Sequence, residues 1–439
     1  MENPNRKRDR TTLGCMAMAL VLPLVICLCL FGVYKYNNRP PHVSVPTHAL
    51  PANNAFDDWV AAGTMVKGMT HKSPISMSDP EKDYTFANFE ACYTDSRPAL
   101  AIFRSGLKKP YMHPVSRSFA TLFPHFSSNR EMARVISAEA YYYQCVGQYG
   151  KAVDSRLDGM EFGGVLPKGA PLIGGLVGVA CMAISEQNIE VLITKLSRPE
   201  LEKTARRLET IETKMVPFSE VIQEEGYQCV AGIQDFMRQT QNPMAMIIGI
   251  TGLYGGGGGS SPEATWLSVR FAFTNKQAML ESQMAYFRDM ASDAEKPYVG
   301  QSTRRAPEGP LSEILFPVFA RARVAFEAQK AVVNILQLEV ALRLYYTDNH
   351  RYPAKLSELV PKYVHAIPPD PFGNKPFVYR LNSPNNYLLY SIGVNFRDDG
   401  GRAGKTIRDP DTDIVAGSLA RTKAPLIKIK GAPVPTDVR

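Results

Sequence analysis

Two adjacent carboxylate pairs, Asp57-Asp58 and Glu224-Glu225, are the residues best suited by type to acid–base work, because carboxylates sharing a cleft split their pKa values. Adjacent acids on a helix usually face water, and that is the expectation for both. The seven histidines, His42, His48, His71, His113, His125, His350 and His365, form no H-E-x-x-H and no pair at metal spacing. No G-x-S-x-G nucleophile elbow occurs. The glycine run Gly255 to Gly259 is followed by Ser260-Ser261-Pro262 where a phosphate-cradling loop needs Lys-Ser or Lys-Thr, so it reads as a hinge. Trp59, Tyr141 to Tyr143 and the Phe/Met-rich segment after Pro262 have the chemistry of a ligand groove, but core packing is the expected use. Cys92, Cys145, Cys181 and Cys229 stand apart from one another and from histidine, which excludes a zinc site by spacing and leaves either disulfides or buried thiols.

The elements that position these residues begin with an apolar stretch. Leu13 to Tyr34 (LGCMAMALVLPLVICLCLFGVY) carries no charge and matches the ~20 apolar residues that span a bilayer as a helix. A cleaved signal peptide has a shorter apolar run and a small-x-small site, neither of which is present, so a retained signal anchor is expected. Arg6, Lys7, Arg8 and Arg10 precede it, which sets residues 1–12 as a cytoplasmic tail and the bulk of the chain as periplasmic or extracellular. The 45% hydrophobic and 21% charged content of the 439 residues is that of a folded protein. The net charge of +8 is scattered, with no basic run interleaved with aromatics, so nucleic acid is excluded as a partner.

Residues 35–54 are rich in proline and read as a linker. A helical domain over 55–294 follows. Its clearest part is a hairpin of helices over Asn129 to Gly147 and Gln148 to Gly163. Ala140, Tyr143, Gly147, Tyr149 and Ala152 sit where helices of the tetratricopeptide family meet, so this half-motif resembles that family and implies a repeat-like ectodomain; a plain helical hairpin is the alternative. Ala170 to Ile184 is too short and glycine-rich to span a membrane and reads as a core helix. Ser197-Arg198-Pro199-Glu200 is a capping box opening an amphipathic helix. Ser261 and Pro262 open another, expected to run to about Asp293, and residues 295–310 read as a second linker.

From Glu313 a long helix carries apolar stripes on most sides, with a polar wedge at Arg323, Lys330, Asn334 and Gln337. Strands over Phe377 to Leu381 and Tyr387 to Ile392, joined by a turn at Asn382 to Asn386, give an α+β domain over 311–417, with a basic tail over 418–439. LRLYYTDNHRYPAKLSEL, DPFGNKPFVYRL, YLLYSIGVNFRDDGG and DTDIV occur in that order, and together resemble the globular part of a major pseudopilin of type II secretion. The resemblance implies that Asp370, Pro371, Phe372 and Gly373 form a tight turn into the first strand. It also implies a calcium loop built from Asn395, Asp398, Asp399 and Asp413, with Asp411 in reserve. Asn395 stands where the family has aspartate, and Arg397, Arg402, Lys405 and Arg408 add positive charge, so a hydrogen-bonded loop without an ion is the expectation. Pseudopilins run their membrane segment straight into the long helix; here nearly 280 residues intervene, and Ala19 stands where the family's assembly glutamate would. The sequence therefore points to a membrane-anchored, extracytoplasmic interaction or assembly protein of the envelope. The alternatives are a membrane-tethered hydrolase with a carboxylate-lined groove between the domains, or a genuine type II secretion or pilus component.

Overall fold

The computed structural model describes residues 22, 24–75, 84–118, 120–239, 270, 273–298, 310–373, 375–404, 411–415 and 429–433, with backbone alone for 310–318. The expected hinge at Gly255 to Gly259, the cap at Ser261-Pro262 and most of both terminal tails lie outside these residues. Helix α1 occupies residues 24–37. Leu24, Val25, Ile26, Leu28, Leu30, Phe31 and Val33 cover all its faces and are 46–61% exposed. No helix among the described residues is long and apolar enough to cross a membrane, and residues 13–21 of the expected span are not among them.

After α1 the chain is extended, as its prolines dictate, but it does not hang free. Val43 N–H donates to Gln234 Oε1 (2.7 Å), His42 N–H donates to Gln277 Oε1 (2.8 Å), and Arg117 Nη2 donates to the Pro46 carbonyl (2.9 Å). The segment is a strap over the helical domain. It ends at Asn54, whose Oδ1 caps α2 (Ala55–Gly68) by accepting from Phe56 N–H.

Helices α3 (Phe86–Gly106), α4 (His125–Cys145), α5 (Tyr149–Val165) and α6 (Leu172–Ser185) surround one aromatic core with α2, holding Trp59, Phe89, Phe103, Tyr141 and Phe162. The expected hairpin is α4 and α5, turned by Gly147 at φ +73°, a left-handed conformation that glycine adopts without strain. The α4–α5 pair packs on α2, α3 and α6 around this shared core instead of stacking on a second copy of itself. The apolar segment at 170–184 is the core helix α6. Gly163 on α5 and Gly178 on α6 let these two backbones touch.

Short α7 (Ile189–Ile193) leads to α8 (Arg198–Lys214), which opens with the anticipated box: Ser197 N–H and Oγ both donate to Glu200 Oε2, at 2.8 and 2.6 Å. Ser197→Ala should lower stability by about 1 kcal/mol, read as a shift in urea midpoint with unchanged slope. Next come α9 (Phe218–Gln239) and α10 (Lys276–Ala294). The helix expected to run on to about Asp293 is broken at Thr274, where the described chain bends, and Asn275 caps α10, accepting from Ala278 N–H at 3.0 Å.

Helix α11 (Pro310–Asn349) lies against α8 and also touches α6, α7 and α9. On another side it carries a three-stranded antiparallel sheet in the order β1 (Val378–Ser383), β2 (Asn386–Ser391), β3 (Ile414–Val415). The strands pair Tyr379 with Leu389 and Ser391 with Ile414. One hydrophobic cluster runs through both parts, from Leu157, Leu192 and Leu208 to Val332, Leu336, Val340, Phe372 and Leu389. Asn334, placed by its polarity on the solvent wedge, is 1% exposed and donates to the Pro369 carbonyl at 3.3 Å. A polar side chain inside an apolar stripe can be buried when it finds a carbonyl.

Candidate functional site

The contact between α11 and the helical domain is built from apolar side chains pinned by a few polar bonds. Gln337 Nε2 donates to the Leu208 carbonyl (3.4 Å), and Arg343 Nη2 donates to the Thr194 carbonyl (3.1 Å). Asp348 closes the far end, pairing with Arg198 of α8 and with Lys362 Nζ at 2.7 Å while accepting from Tyr363 at 2.8 Å. Those bonds hold its carboxyl well below the usual carboxylate range, the Lys362 bond contributing most. At the other end Gln329 Nε2 donates to Glu186, and both side chains are buried. Burial pushes Glu186 up to about 8 and raises Glu339, farther along α11, well above the ordinary range, with Glu190 adding to both.

The turn at Asp370 forms as the resemblance implied. Asp370 Oδ1 accepts from Phe372 N–H (2.9 Å) and Ser391 Oγ (2.8 Å), while Oδ2 accepts from Ile392 N–H (3.2 Å). Gly373 follows at φ +94° and donates to the Tyr298 carbonyl. Burial raises the Asp370 carboxyl to about 6 against the opposing pull of those hydrogen bonds.

The loop after β2 brings its acidic residues close but turns them on itself. Asp413 accepts from Asp399 N–H (3.3 Å) and Gly401 N–H (2.8 Å). Asp398 Oδ1 accepts from Tyr390 (2.6 Å) and Gly400 N–H (2.9 Å), and Asn395 Nδ2 donates to Asp399 Oδ2 (2.8 Å). Asp411 contributes its carbonyl to Arg402. Calcium takes about six to eight converging oxygens. Among the described residues no three acidic, histidine or cysteine side chains converge as metal ligands, and the Asn395 amide presents a donor. As placed, the described side chains of this loop do not converge on one ion position. Adding 1 mM calcium should stabilise the protein by less than about 0.4 kcal/mol, the gain when concentration only equals Kd, and chelation should leave the melting temperature unchanged.

The carboxylate pairs proposed from sequence behave differently from each other. Asp57 is exposed, and Asp58 binds Lys109 Nζ at 2.6 Å. Glu224 is buried and Glu225 half-buried. Glu224 pairs with Arg117 at 2.5 Å, and Glu225 accepts Leu172 N–H at 2.8 Å, completing the first turn of α6 from a neighbouring helix. A cleft of about 420 Å³ opens within the helical domain, lined among others by Trp59, Tyr111, Glu161, Lys168 and Lys214. Its Glu161 is held by Lys214 at 2.6 Å and Arg207 at 3.3 Å, an ion-pair lattice rather than a carboxylate couple set for proton transfer. Trp59 packs at 4.8 Å on Tyr111 and Phe162, as core. Cys92, Cys145 and Cys181 are buried free thiols, and Cys229 is buried as well.

Sequence reasoning did not pair His113 with His125, whose Nε2 atoms are 3.0 Å apart, nor find the lattice in which Asp158 accepts from both Arg104 (2.8 Å) and Arg207 (2.9 Å). Glu186, Gln329 and Glu339 were equally unseen. Their signal was present, as isolated polar residues within runs such as ACMAISEQ and LQLEVAL.

The type II secretion system core protein G of Aeromonas hydrophila is 32% identical over 107 residues, an overlap of 20% of this chain and 73% of that protein. Its counterpart of the same name from Escherichia coli (strain K12) is 31% identical over 101 residues, covering 19% and 68%. That of Pectobacterium carotovorum subsp. carotovorum is 30% identical over 105 residues, covering 19% and 65%. No protein-family model matches, so the tetratricopeptide resemblance gains no support, and no solved structure matches.

Proposed function

Through its C-terminal domain this chain belongs to the family of the type II secretion system core protein G, and on that premise we propose that it serves a secretion-type assembly at the cell envelope as an anchored interaction protein, not as a filament subunit. One observation carries the reading. The long helix of the pilin-like domain is packed on α6, α7, α8 and α9 of its own chain, so the flank that a filament neighbour would need is already occupied. The helical domain stands where other copies would. Its outer surface, rather than α11, is left for partners.

In this reading residues 13–34 are the membrane anchor, with the N-terminus in the cytoplasm and the remainder periplasmic or extracellular. Arg6 to Arg10 support the orientation. The uncovered apolar girdle of α1 supports the anchor, because a helix apolar all round needs apolar surroundings. Strap bonds from His42, Val43 and Pro46 then hold the helical domain close to the membrane exit.

The test is affinity purification of the intact protein from detergent-solubilised membranes, with mass spectrometry of what is retained. Secretion-type components recovered with one copy of this chain would support the reading. A partnerless preparation would sink it, and self-association into long polymers would restore the filament-subunit alternative.

A further inference from the structure

Residues 107–124, between α3 and α4, are held down at a pair of histidines. His113 is 2% exposed. Its Nδ1 lies 2.7 Å from the Pro114 carbonyl, which can only accept, so Nδ1 carries the proton and Nε2 is left as an acceptor. His125 Nε2, at 3.0 Å, must therefore donate to it. Both rings are neutral in this arrangement. Phe56 of α2, Phe123 of the loop and Phe126 of α4 surround them, with ring centroids 4.5–6.1 Å from the imidazoles. The strap joins the same point, since His48 Nε2 donates to the His113 carbonyl at 2.9 Å. The loop is fixed on its other side by His113 N–H, which donates to the Lys168 carbonyl at 3.0 Å.

We propose that the His113–His125 pair is an acid-sensitive latch, closed while at most one of the two rings is protonated and opened by a second proton, which frees residues 107–124 and the strap from the helical domain. One proton on His125 can be tolerated at Nδ1, leaving the Nε2–H···Nε2 bond intact. With both rings charged, two N–H groups face each other at 3.0 Å and no acceptor remains between them.

Only the Pro114 carbonyl, accepting from Nδ1–H, favours the charged form of His113, and the other surroundings oppose it. Burial pulls His113 down to about 4, and His125 and His48 are the charged neighbours that push it further the same way. Burial likewise lowers His125. From α2 and α4 the pair is faced by Phe56 and Phe126, and the α5–α6 connection offers the Lys168 backbone. With folded pKa values below the unfolded value of about 6.5, the latch contributes its full stability above that pH and loses it as pH falls toward 4. The consequence is local. It concerns how firmly the strap ties the domain to the chain emerging from α1.

Hydrogen exchange read by mass spectrometry on the full chain in detergent micelles tests this, at pH 7.0 and 4.5, corrected for the intrinsic pH dependence of amide exchange. Peptides covering residues 40–50 and 107–118 should exchange tenfold faster or more at pH 4.5, while peptides from α5 and α8 keep their protection. In His125→Gln the amide can donate to or accept from His113 by flipping, so the acid-induced opening should be lost. Unchanged protection of the wild type at pH 4.5, or equal opening in the variant, would overturn the proposal. Should His125→Gln fail to fold, the wild type alone decides: opening confined to these segments supports the latch, and simultaneous loss of protection in α5 and α8 overturns it.

Discussion

Gly163→Ala is expected to destabilise the protein by about 3 kcal/mol or more, enough to leave much of it unfolded at 37 °C. A Cβ at Gly163 would lie 2.6 Å from the Gly178 carbonyl oxygen, 2.7 Å from Met182 N and 2.6 Å from Met182 Cγ. Two of those three atoms are backbone, so no rotamer change relieves the overlap and α5 must move off α6. That movement breaks into the aromatic core through Phe162 and into the α11 cluster through Met160. Gly68→Ala is the matched control, because nothing lies within 4 Å of its added Cβ. Thermal melts of the two variants should separate clearly, and a Gly163→Ala melt equal to that of Gly68→Ala would show that the helices are not in backbone contact.

The second large effect is electrostatic. Glu186 is buried, and its folded pKa of about 8 stands far above the ordinary 4.5. A raised carboxyl favours the folded state while protonated, so its contribution is complete below pH 4.5 and is lost as pH climbs toward 8. The gap between these values corresponds to at most about 5 kcal/mol. A geometric detail agrees. Gln329 Oε1 is buried with no hydrogen-bond partner, and only the protonated form of Glu186 has a donor to offer it. Glu186→Gln keeps the size and stays neutral, so it should match wild type at pH 5 and exceed it by several kcal/mol at pH 8.5. Urea denaturation at both values checks this. A variant less stable than wild type at pH 8.5 would mean that an ionised Glu186 is accommodated after all.

Much of the architecture was legible because it rests on local rules. The capping box at Ser197, the α4–α5 hairpin and the core helix α6 each follow from residues within a few positions of one another, whereas the Asp370 turn was expected from the pseudopilin resemblance alone. The two-residue strand β3 was missed, since Ile414 and Val415 form a strand only by lying against Tyr390 and Ser391. The interruption at Thr274 of the helix expected to run to about Asp293 was missed, because Asn275, an ordinary polar residue in the sequence, becomes a cap only where the chain bends. Glu224 and Glu225 read as solvated acids because nothing near them in sequence announces Arg117 or the bare first turn of α6. The histidine latch was invisible for the same reason. Twelve positions separate its rings, and a strap residue 65 positions from His113 completes it. In the acidic loop, where a hydrogen-bonded arrangement was the expectation, Asp413 accepts from two backbone amides.

The claim that α11 is already partnered by its own chain can be measured directly. Val340, fully buried on the flank that Gln337 fixes against α8, is replaced by cysteine, and the protein is exposed to a membrane-permeant maleimide in native membranes, with exposed Thr347→Cys as reference. Labelling of Val340→Cys at least a hundredfold slower than Thr347→Cys, and restored by denaturant, is the expected result. Labelling of both at comparable rates in native membranes would show the helix uncovered and open to neighbouring subunits, and would contradict the account.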